Sequence, residues 1–398
     1  VRIAYLAQSY PPMVSGAALV VRRMAEGMAA RGHVVLALAA SDKGQSYVEE
    51  RDRLRVARLR ALPNPVRVGQ HFVLWPQTEI AAELRAFQPD ILHSHDPLTV
   101  GLAGLRAARS LPRPPIRLLT LHQLPWFVST YLPALPALHR LVESVLWSYG
   151  RWFYPQFDSV ITSSKMIADI VGAHTRFRPQ PMSNGVDTTR FTPPPAAPDE
   201  AESLRHKYGL DPELPIILYA GRVDADKQVD LAVRAAALAL QSAKAQLLIV
   251  GDGKQRNAIF QLAESLGIRD RSRFPGYVAM TGDLPGLYRL ASLFITASEV
   301  EIQSSVVLEA AASGLPVVTV RASSMPEFVE DGVTGFLVSP RDVVTLANRI
   351  ITLLQNPARA RAMGEAGLAV ARRHSHENAI EAHERYYESL ARRRQGEL

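Results

Sequence analysis

The sequence predicts an α/β protein built from two doubly wound parallel sheets. Three observations predict it. Short apolar strands alternate with helices of Ala/Leu periodicity, the pattern of parallel βα units. The pattern is interrupted at a Pro-rich stretch, Phe191–Glu200 (FTPPPAAPDE), and then restarts. The length, 398 residues, exceeds one ordinary core and suits two domains of roughly 150 to 200 residues each.

In chain order, strands are expected at 1–7 (VRIAYLA), 34–40 (VVLALAA), 90–93 (DILH), 116–121 (IRLLTL) and 159–163 (SVITS). Helices are expected at Ala17–Arg31, stopped by Gly32, and at Thr78–Phe87. The second set of strands falls at 215–220 (PIILYA), 246–250 (QLLIV), 293–296 (LFIT) and 316–320 (PVVTV). Proline lacks a backbone donor and fixes φ, so FTPPPAAPDE continues neither a helix nor an inner strand, and a hinge is placed just before it. The expected domains are 1–180 and 181–376. A C-terminal helix over 377–398 follows, with Ala382, Tyr386 and Leu390 at a spacing of four ahead of an Arg run. No repeat of solenoid period is visible.

Composition narrows the class. With 47% hydrophobic and 21% charged residues, neither wholesale disorder nor a collagen-like fibre fits. No apolar run reaches about 18 residues, and Val1–Ala7 is too short and too soon followed by Pro11 and Pro12 for a signal peptide or anchor, so a cytoplasmic protein is expected. The absence of cysteine excludes disulfides and thiolate metal sites. Residues 1–190 carry 22 Lys and Arg against 13 Asp and Glu, a balance of +9, and residues 191–398 carry 23 against 25, a balance of −2. The first half is thus suited to an anionic partner, an acidic membrane surface or nucleic acid; the alternative is an Arg-rich solvated face. Nucleic-acid binding has no motif behind the charge.

Two loops carry the candidate chemistry. Gly221-Arg222-Val223-Asp224-Ala225-Asp226-Lys227 follows an apolar strand, where open parallel sheets present ligands. Arg222 and Lys227 on such a loop can clamp a diphosphate and neutralise the charge growing on it as a leaving group. The plainer alternative is a Gly turn with two solvated cations. Further on, Glu301-Ile302-Gln303-Ser304-Ser305-Val306-Val307-Leu308-Glu309 places one glutamate on a loop and the second at an expected helix start, with small residues between them. The carboxylates can accept from sugar and ribose hydroxyls while backbone N–H groups meet a ligand; the alternative for a carboxylate there is a dipole partner.

These residues resemble the donor site of the family 4 retaining glycosyltransferases. Further matches are NGVD at Asn184–Asp187, VGDG at Val250–Gly253, FPGYV at Phe274–Val278, and Pro326-Glu327 followed by DGVTGFLV. The resemblance implies the GT-B fold, two Rossmann-like domains facing each other across a cleft. The N-terminal domain would bind acceptor, the C-terminal domain nucleotide sugar, and the last helix would cross back to the N-terminal domain. It implies that Gly221, Arg222 and Lys227 hold the diphosphate and Glu309 the ribose. Glu301 and the backbone of Gln303, Ser304, Ser305 and Val306 would hold the hexose, Val278 would meet the base, and Gly251 would allow close backbone approach. Ser15-Gly16 matches a glycine loop facing the phosphates, with Ser15 where the family usually has a second glycine. Ser304 and Ser305 likewise replace the family's Gly-plus-apolar pair. His122, just past the strand IRLLTL, matches a histidine aimed at the reacting sugar, and Arg222, Lys227, His122 and Glu301 are the catalytic set so implied.

His93 and His95 (HSHD) mimic metal ligands at i and i+2, but the family has a similar pair without a metal. The D-x-D triplet Asp224–Asp226 lies between the two cations, so no metal and no cofactor is expected, the nucleotide sugar being a co-substrate. No residue stands out as a nucleophile, and the resemblance implies same-face attack with Glu301 and His122 positioning. The segment Leu124–Phe157 gathers three of the four tryptophans with Tyr, Phe and Arg and is similar to the corresponding stretch of diacylglycerol glucosyltransferases, as EIQ at Glu301–Gln303 is similar to their ETQ. It implies glucose transfer from UDP-glucose to a membrane lipid by an enzyme held peripherally on the anionic inner face of the cell membrane. The alternatives are an ordinary helix pair serving a soluble acceptor, a GT-B nucleotide-sugar epimerase, and a non-catalytic nucleotide-sugar sensor.

Overall fold

A computed structural model describes residues 1–13, 15–64, 70–129, 132, 135–194 and 198–395. The chain divides into two compact units, Val1–Asn184 with Glu377–Leu398, and Gly185–His376.

The first unit holds an eight-stranded sheet. Its spatial order is Gln180–Pro181, Ser159–Thr162, Ile116–Leu121, Ile91–Ser94, Arg2–Ala7, Val34–Ala40, Leu54–Leu59 and Tyr47–Arg51. All neighbours run parallel except the last pair. The inner strands read as continuous apolar runs because both faces are covered: Ile3, Ala4, Tyr5 and Leu6 are all buried. One cover is the helix Gly16–Ala30, whose Val20, Val21, Met24, Ala25 and Met28 are buried. Ser15 caps it, its Oγ accepting from the Ala18 N–H at 3.1 Å. The last helix, His376–Gln395, packs Ala379, Ile380, Ala382, Tyr386, Tyr387 and Leu390 against this same core.

The second unit is a six-stranded, all-parallel sheet. Its order is Ser272–Gly276, Gln246–Val250, Ile216–Ala220, Leu293–Ile295, Val317–Val320 and Gly335–Val338. Numbered along the chain this is 3-2-1-4-5-6, the Rossmann order, whose direction reverses between Ile216–Ala220 and Leu293–Ile295. Ligands of such sheets bind beyond the carboxyl ends of the strands at that reversal. The loops leaving these two strands are the ones that carry Arg222, Lys227 and Glu301.

The strands Leu54–Leu59 and Tyr47–Arg51 escape the apolar-run criterion because Arg55, Arg58, Glu49 and Glu50 interrupt them. A helix, Pro198–Tyr208, starts at the end of the Pro-rich stretch. Proline at a first helical position forfeits no hydrogen bond, so the rule against helical proline does not hold there. Residues 195–197 of that stretch lie outside the described residues, as do Thr130, Tyr131, Pro133 and Ala134 of the aromatic segment. The described part of the aromatic segment forms two helices, Pro125–Ser129 and Pro136–Phe153. Among the described residues no helix is long and apolar enough to cross a membrane.

Candidate active site

In the second unit the turn after Ile216–Ala220 is set by Gly221 at φ 147°. The Tyr219 hydroxyl donates to the Arg222 carbonyl at 2.7 Å, and the Val223 N–H to the Asp252 carbonyl at 2.9 Å, lacing this turn to the next one. Gly251 permits that approach: a Cβ there would stand 1.7 Å from the Gly221 carbonyl oxygen. Its role in the structure is therefore to admit a neighbouring turn.

Each expected phosphate-binding cation has carboxylate partners. Arg222 pairs with Asp224, and its Nη2 donates to Oδ2 of Asp226 at 2.7 Å. Lys227 Nζ lies 2.7 Å from Glu301 Oε1 and 3.8 Å from Asp226 Oδ2. The D-x-D carboxylates are thus engaged by Arg222. Among the described residues no three His, Asp or Glu side chains gather as a metal-binding group.

The second glutamate departs from the sequence expectation. The helix begins at Ser305 and runs to Ala312, so Glu309 lies in its second turn and does not start it. The N–H groups of the first turn, at Ser305, Val306 and Val307, are the ones presented at the helix start, with Ser304 as the cap residue. The Ser304 side chain is buried, and its Oγ has no hydrogen-bond partner among the described residues. Glu309 is buried and accepts from the Tyr288 hydroxyl at 3.0 Å; burial, then Glu309, drive that phenol well above its ordinary pKa. Gln303 is half-buried before the helix, and Val278 packs, half-buried, on the core of this unit.

In the first unit the helix start at Gly16 has open space where a Cβ would stand. His122 follows the strand Ile116–Leu121, and its Nε2 is 2.7 Å from Nδ1 of His95, which follows the neighbouring parallel strand. The rings stack at 5.0 Å and 18°. Burial pushes the His122 pKa down to about 4 and that of His95 well below the ordinary value, so both are neutral near pH 7. His93 is buried with both nitrogens engaged, Nδ1 at 2.6 Å from the Tyr387 hydroxyl and Nε2 at 2.7 Å from Thr120 Oγ1. A metal would have to displace both partners. Asp96 accepts from the Val100 and Gly101 N–H groups at 2.9 and 3.2 Å and so anchors the next helix.

Trp147, which the sequence groups with the aromatic set, is buried: its ring stacks on His174 at 4.3 Å and leans on Trp126 at 6.3 Å. The large apolar residues exposed on the helix Pro136–Phe153 are Leu141, Val145 and Trp152. Sequence reasoning also missed Tyr288, Gln228 and Glu299 beside the site. Gln228 and Glu299 lie in the two singled-out loops but bond each other only in the fold, and Tyr288 comes from the separate helix Leu284–Leu290.

Comparison with known proteins extends the geometry. Residues 14–190 match the family model described as Glycosyltransferase Family 4, and residues 200–370 that described as Glycosyl transferases group 1. A GDP-mannose-dependent alpha-mannosyltransferase of Mycobacterium tuberculosis is 30% identical over 340 residues, 85% of this chain and 84% of the relative. The alpha-monoglucosyldiacylglycerol synthase of Streptococcus pneumoniae is 25% identical over 338 residues, 84% of this chain and 75% of the relative. Among solved structures, the sucrose-phosphate synthase of Thermosynechococcus elongatus superposes with a TM-score of 0.78 at 23% identity, covering 98% of each chain, which bears on the fold alone.

Proposed function

We propose that this chain, which belongs to glycosyltransferase family 4, moves a hexose from a nucleotide sugar onto a membrane lipid with retention of configuration and without a metal ion. Glucose from UDP-glucose onto diacylglycerol is the pair we favour. The observation that carries the reading is the Lys227–Glu301 pair, 2.7 Å across the loops at which the sheet order reverses. A diphosphate arriving there competes for Lys227 and Arg222. As Lys227 turns to the phosphate, Glu301 is freed to accept from hexose hydroxyls, with the N–H groups after Ser304 beside it. Glu309 takes the ribose hydroxyls, Val278 meets the base through its main chain, and the Ser15-Gly16 turn faces the phosphates.

In the transfer step the bond from the anomeric carbon to the phosphate oxygen breaks. A bond to the acceptor oxygen forms on the same face, and the acceptor's proton passes to the departing phosphate oxygen. Arg222 and Lys227 stabilise the charge that gathers on the leaving group. His122, neutral because burial depresses its pKa, positions the sugar by hydrogen bonding. The lipid part of the reading draws support from the exposed stripe Leu141, Val145 and Trp152, from the +9 balance of residues 1–190, and from the named activity of the Streptococcus relative. On this reading the enzyme works peripherally on the cytoplasmic, anionic face of a membrane. A second donor, GDP-mannose, is favoured by the 30% identity to the mannosyltransferase.

The test is a thermal-shift and hydrolysis screen with UDP-, GDP- and ADP-sugars, followed by transfer to diacylglycerol in vesicles with excess EDTA. UDP-glucose should stabilise the chain, since a ligand at 100 times its Kd adds about 2.7 kcal/mol. Stabilisation by GDP-mannose alone selects the second donor. Stabilisation by none refutes the reading, and an absolute need for added metal refutes the metal-free mechanism.

A further inference from the structure

Three residues other than glycine, from three separate loops of the second unit, adopt left-handed backbone and converge on one residue. They are Gln228 at φ 47°, Ser323 at φ 46° and Arg341 at φ 65°. The residue they meet is Glu299. Gln228 Nε2 donates to Glu299 Oε1 at 2.7 Å, and the Glu299 N–H donates back to Gln228 Oε1 at 3.0 Å. Arg341 Nε donates to the same carboxylate oxygen at 2.9 Å, and Ser323 Oγ to the Glu299 carbonyl at 2.7 Å. Non-glycine residues enter left-handed backbone at a cost, and such outliers persist where the surroundings hold them. At Gln228 a glycine would avoid the cost, so the side chain is what the position uses.

The placement relative to the donor site gives that side chain a task. Gln228 follows Lys227 in one loop, and Glu299 precedes Glu301 by two residues in the other. The same two loops are therefore joined through side-chain pairs at Lys227–Glu301 and Gln228–Glu299, beside a bond from Ser298 Oγ to the Asp226 carbonyl. A diphosphate competes for the first pair because it offers Lys227 a better anion. It has no such hold on Gln228, a neutral amide; the cation on Glu299 is Arg341, which comes from a third loop. We propose that Gln228 and Glu299 are positioning residues for the sugar-phosphate donor, holding the Glu301 loop in register with the phosphate loop once Lys227 has left Glu301. The inference rests on the donor-site reading given above.

The experiment measures UDP-glucose and GDP-mannose affinity by calorimetry, donor KM, and thermal unfolding for the full chain and its variants. In Gln228→Gly the strain relieved and the bonds lost offset one another, so Tm should stay within about 3 °C, the shift that roughly 1 kcal/mol produces at this size. Donor affinity should nevertheless fall, and KM rise, by about threefold to tenfold, the worth of one to two net hydrogen bonds. The double variant Gln228→Gly/Glu299→Ala should bind no more weakly than the worse single variant, because one pair is removed only once. Lys227→Ala is the control. Loss of binding in Lys227→Ala with wild-type affinity in Gln228→Gly overturns the positioning role and leaves the donor site intact. A Tm fall in Gln228→Gly that accounts for the weakened binding marks a merely structural contact and also overturns it. Wild-type affinity in Lys227→Ala, or binding of neither nucleotide sugar by the unaltered chain, removes the donor-site reading itself and the inference with it.

Discussion

Nζ of Lys227 and Oε1 of Glu301 stand 2.7 Å apart, each the best-placed partner of the other across the reversal of the second sheet. Asp226 lies between the cations, 2.7 Å from Arg222 Nη2 and 3.8 Å from Lys227 Nζ. A site so neutralised tolerates two cations and several carboxylates at close quarters, because each charge has a partner until a diphosphate exchanges into the set. Under the proposed function the exchange would also couple the two halves of the donor, phosphate binding releasing the carboxylate assigned to the hexose.

Two variants test this site through binding and folding together. Lys227→Ala and Glu309→Ala should each weaken donor affinity by on the order of 1.5 to 3 kcal/mol, the range for hydrogen bonds to charged groups. Glu309 is buried under the Tyr288 hydroxyl, so its loss also strands that donor and should lower stability by about 1 to 3 kcal/mol. Lys227 is largely buried against Glu301, so its loss strands that carboxylate and should lower Tm as well. Titration calorimetry beside thermal unfolding reads both quantities, and unchanged affinity in both variants would sink the assignment.

The inner strands of both sheets were legible because burial on two faces writes an unbroken apolar run, as in Ile216–Ala220. Leu54–Leu59 was not, since Arg55 and Arg58 sit within it and find Glu83 and Glu49 only in three dimensions. The donor loops were legible for a similar reason: Arg222, Lys227 and Glu301 lie at strand ends, where position in the chain already implies position in the sheet. Tyr288 owes its place to packing between elements distant in sequence, which no spacing encodes, whereas Glu299 lies in the Glu301 loop and only its partner Gln228 is set in three dimensions. Glu309 was misplaced by one turn because the run of small residues before it hides where the helix begins.

Acid should weaken the first unit through its buried histidines. Burial depresses the pKa of His93, His95, His122 and His383, to about 4 for His122. The unfolded chain takes up these protons near pH 6.5, while the folded chain refuses them until lower pH. Below about pH 6.5 the unfolded state therefore binds more protons, and stability falls as pH falls. The full contribution is present above about pH 7.5, and His122 alone accounts for on the order of 3 kcal/mol by pH 4. One buried carboxyl, Asp96, has a raised pKa from desolvation and pulls the other way. Thermal unfolding from pH 8 to pH 4.5 should show Tm dropping below pH 6.5, with a shallower drop in His122→Gln. A flat profile across that range contradicts the buried neutral histidines.

The helix Pro136–Phe153 should dock the chain on acidic bilayers. Leu141, Val145 and Trp152 are 61%, 58% and 55% exposed, and at 3.6 residues per turn they fall within about 40° of one another. Exposed Arg140 and Arg151 lie together on one side of the stripe. An apolar stripe beside cations is the pattern that settles at a lipid interface, where each cation adds about 1 kcal/mol near an anionic surface. Binding to phosphatidylglycerol vesicles should therefore fade with salt as the Debye length shrinks from about 10 Å at 0.1 M to about 3 Å at 1 M. Replacing Leu141, Val145 and Trp152 together with serine should abolish co-sedimentation while donor hydrolysis persists. Trp147→Ser should act differently, lowering stability by about 3 to 5 kcal/mol, because that ring is buried against His174. If the wild-type chain ignores phosphatidylglycerol vesicles at low salt, the lipid acceptor loses its support and a soluble acceptor takes its place.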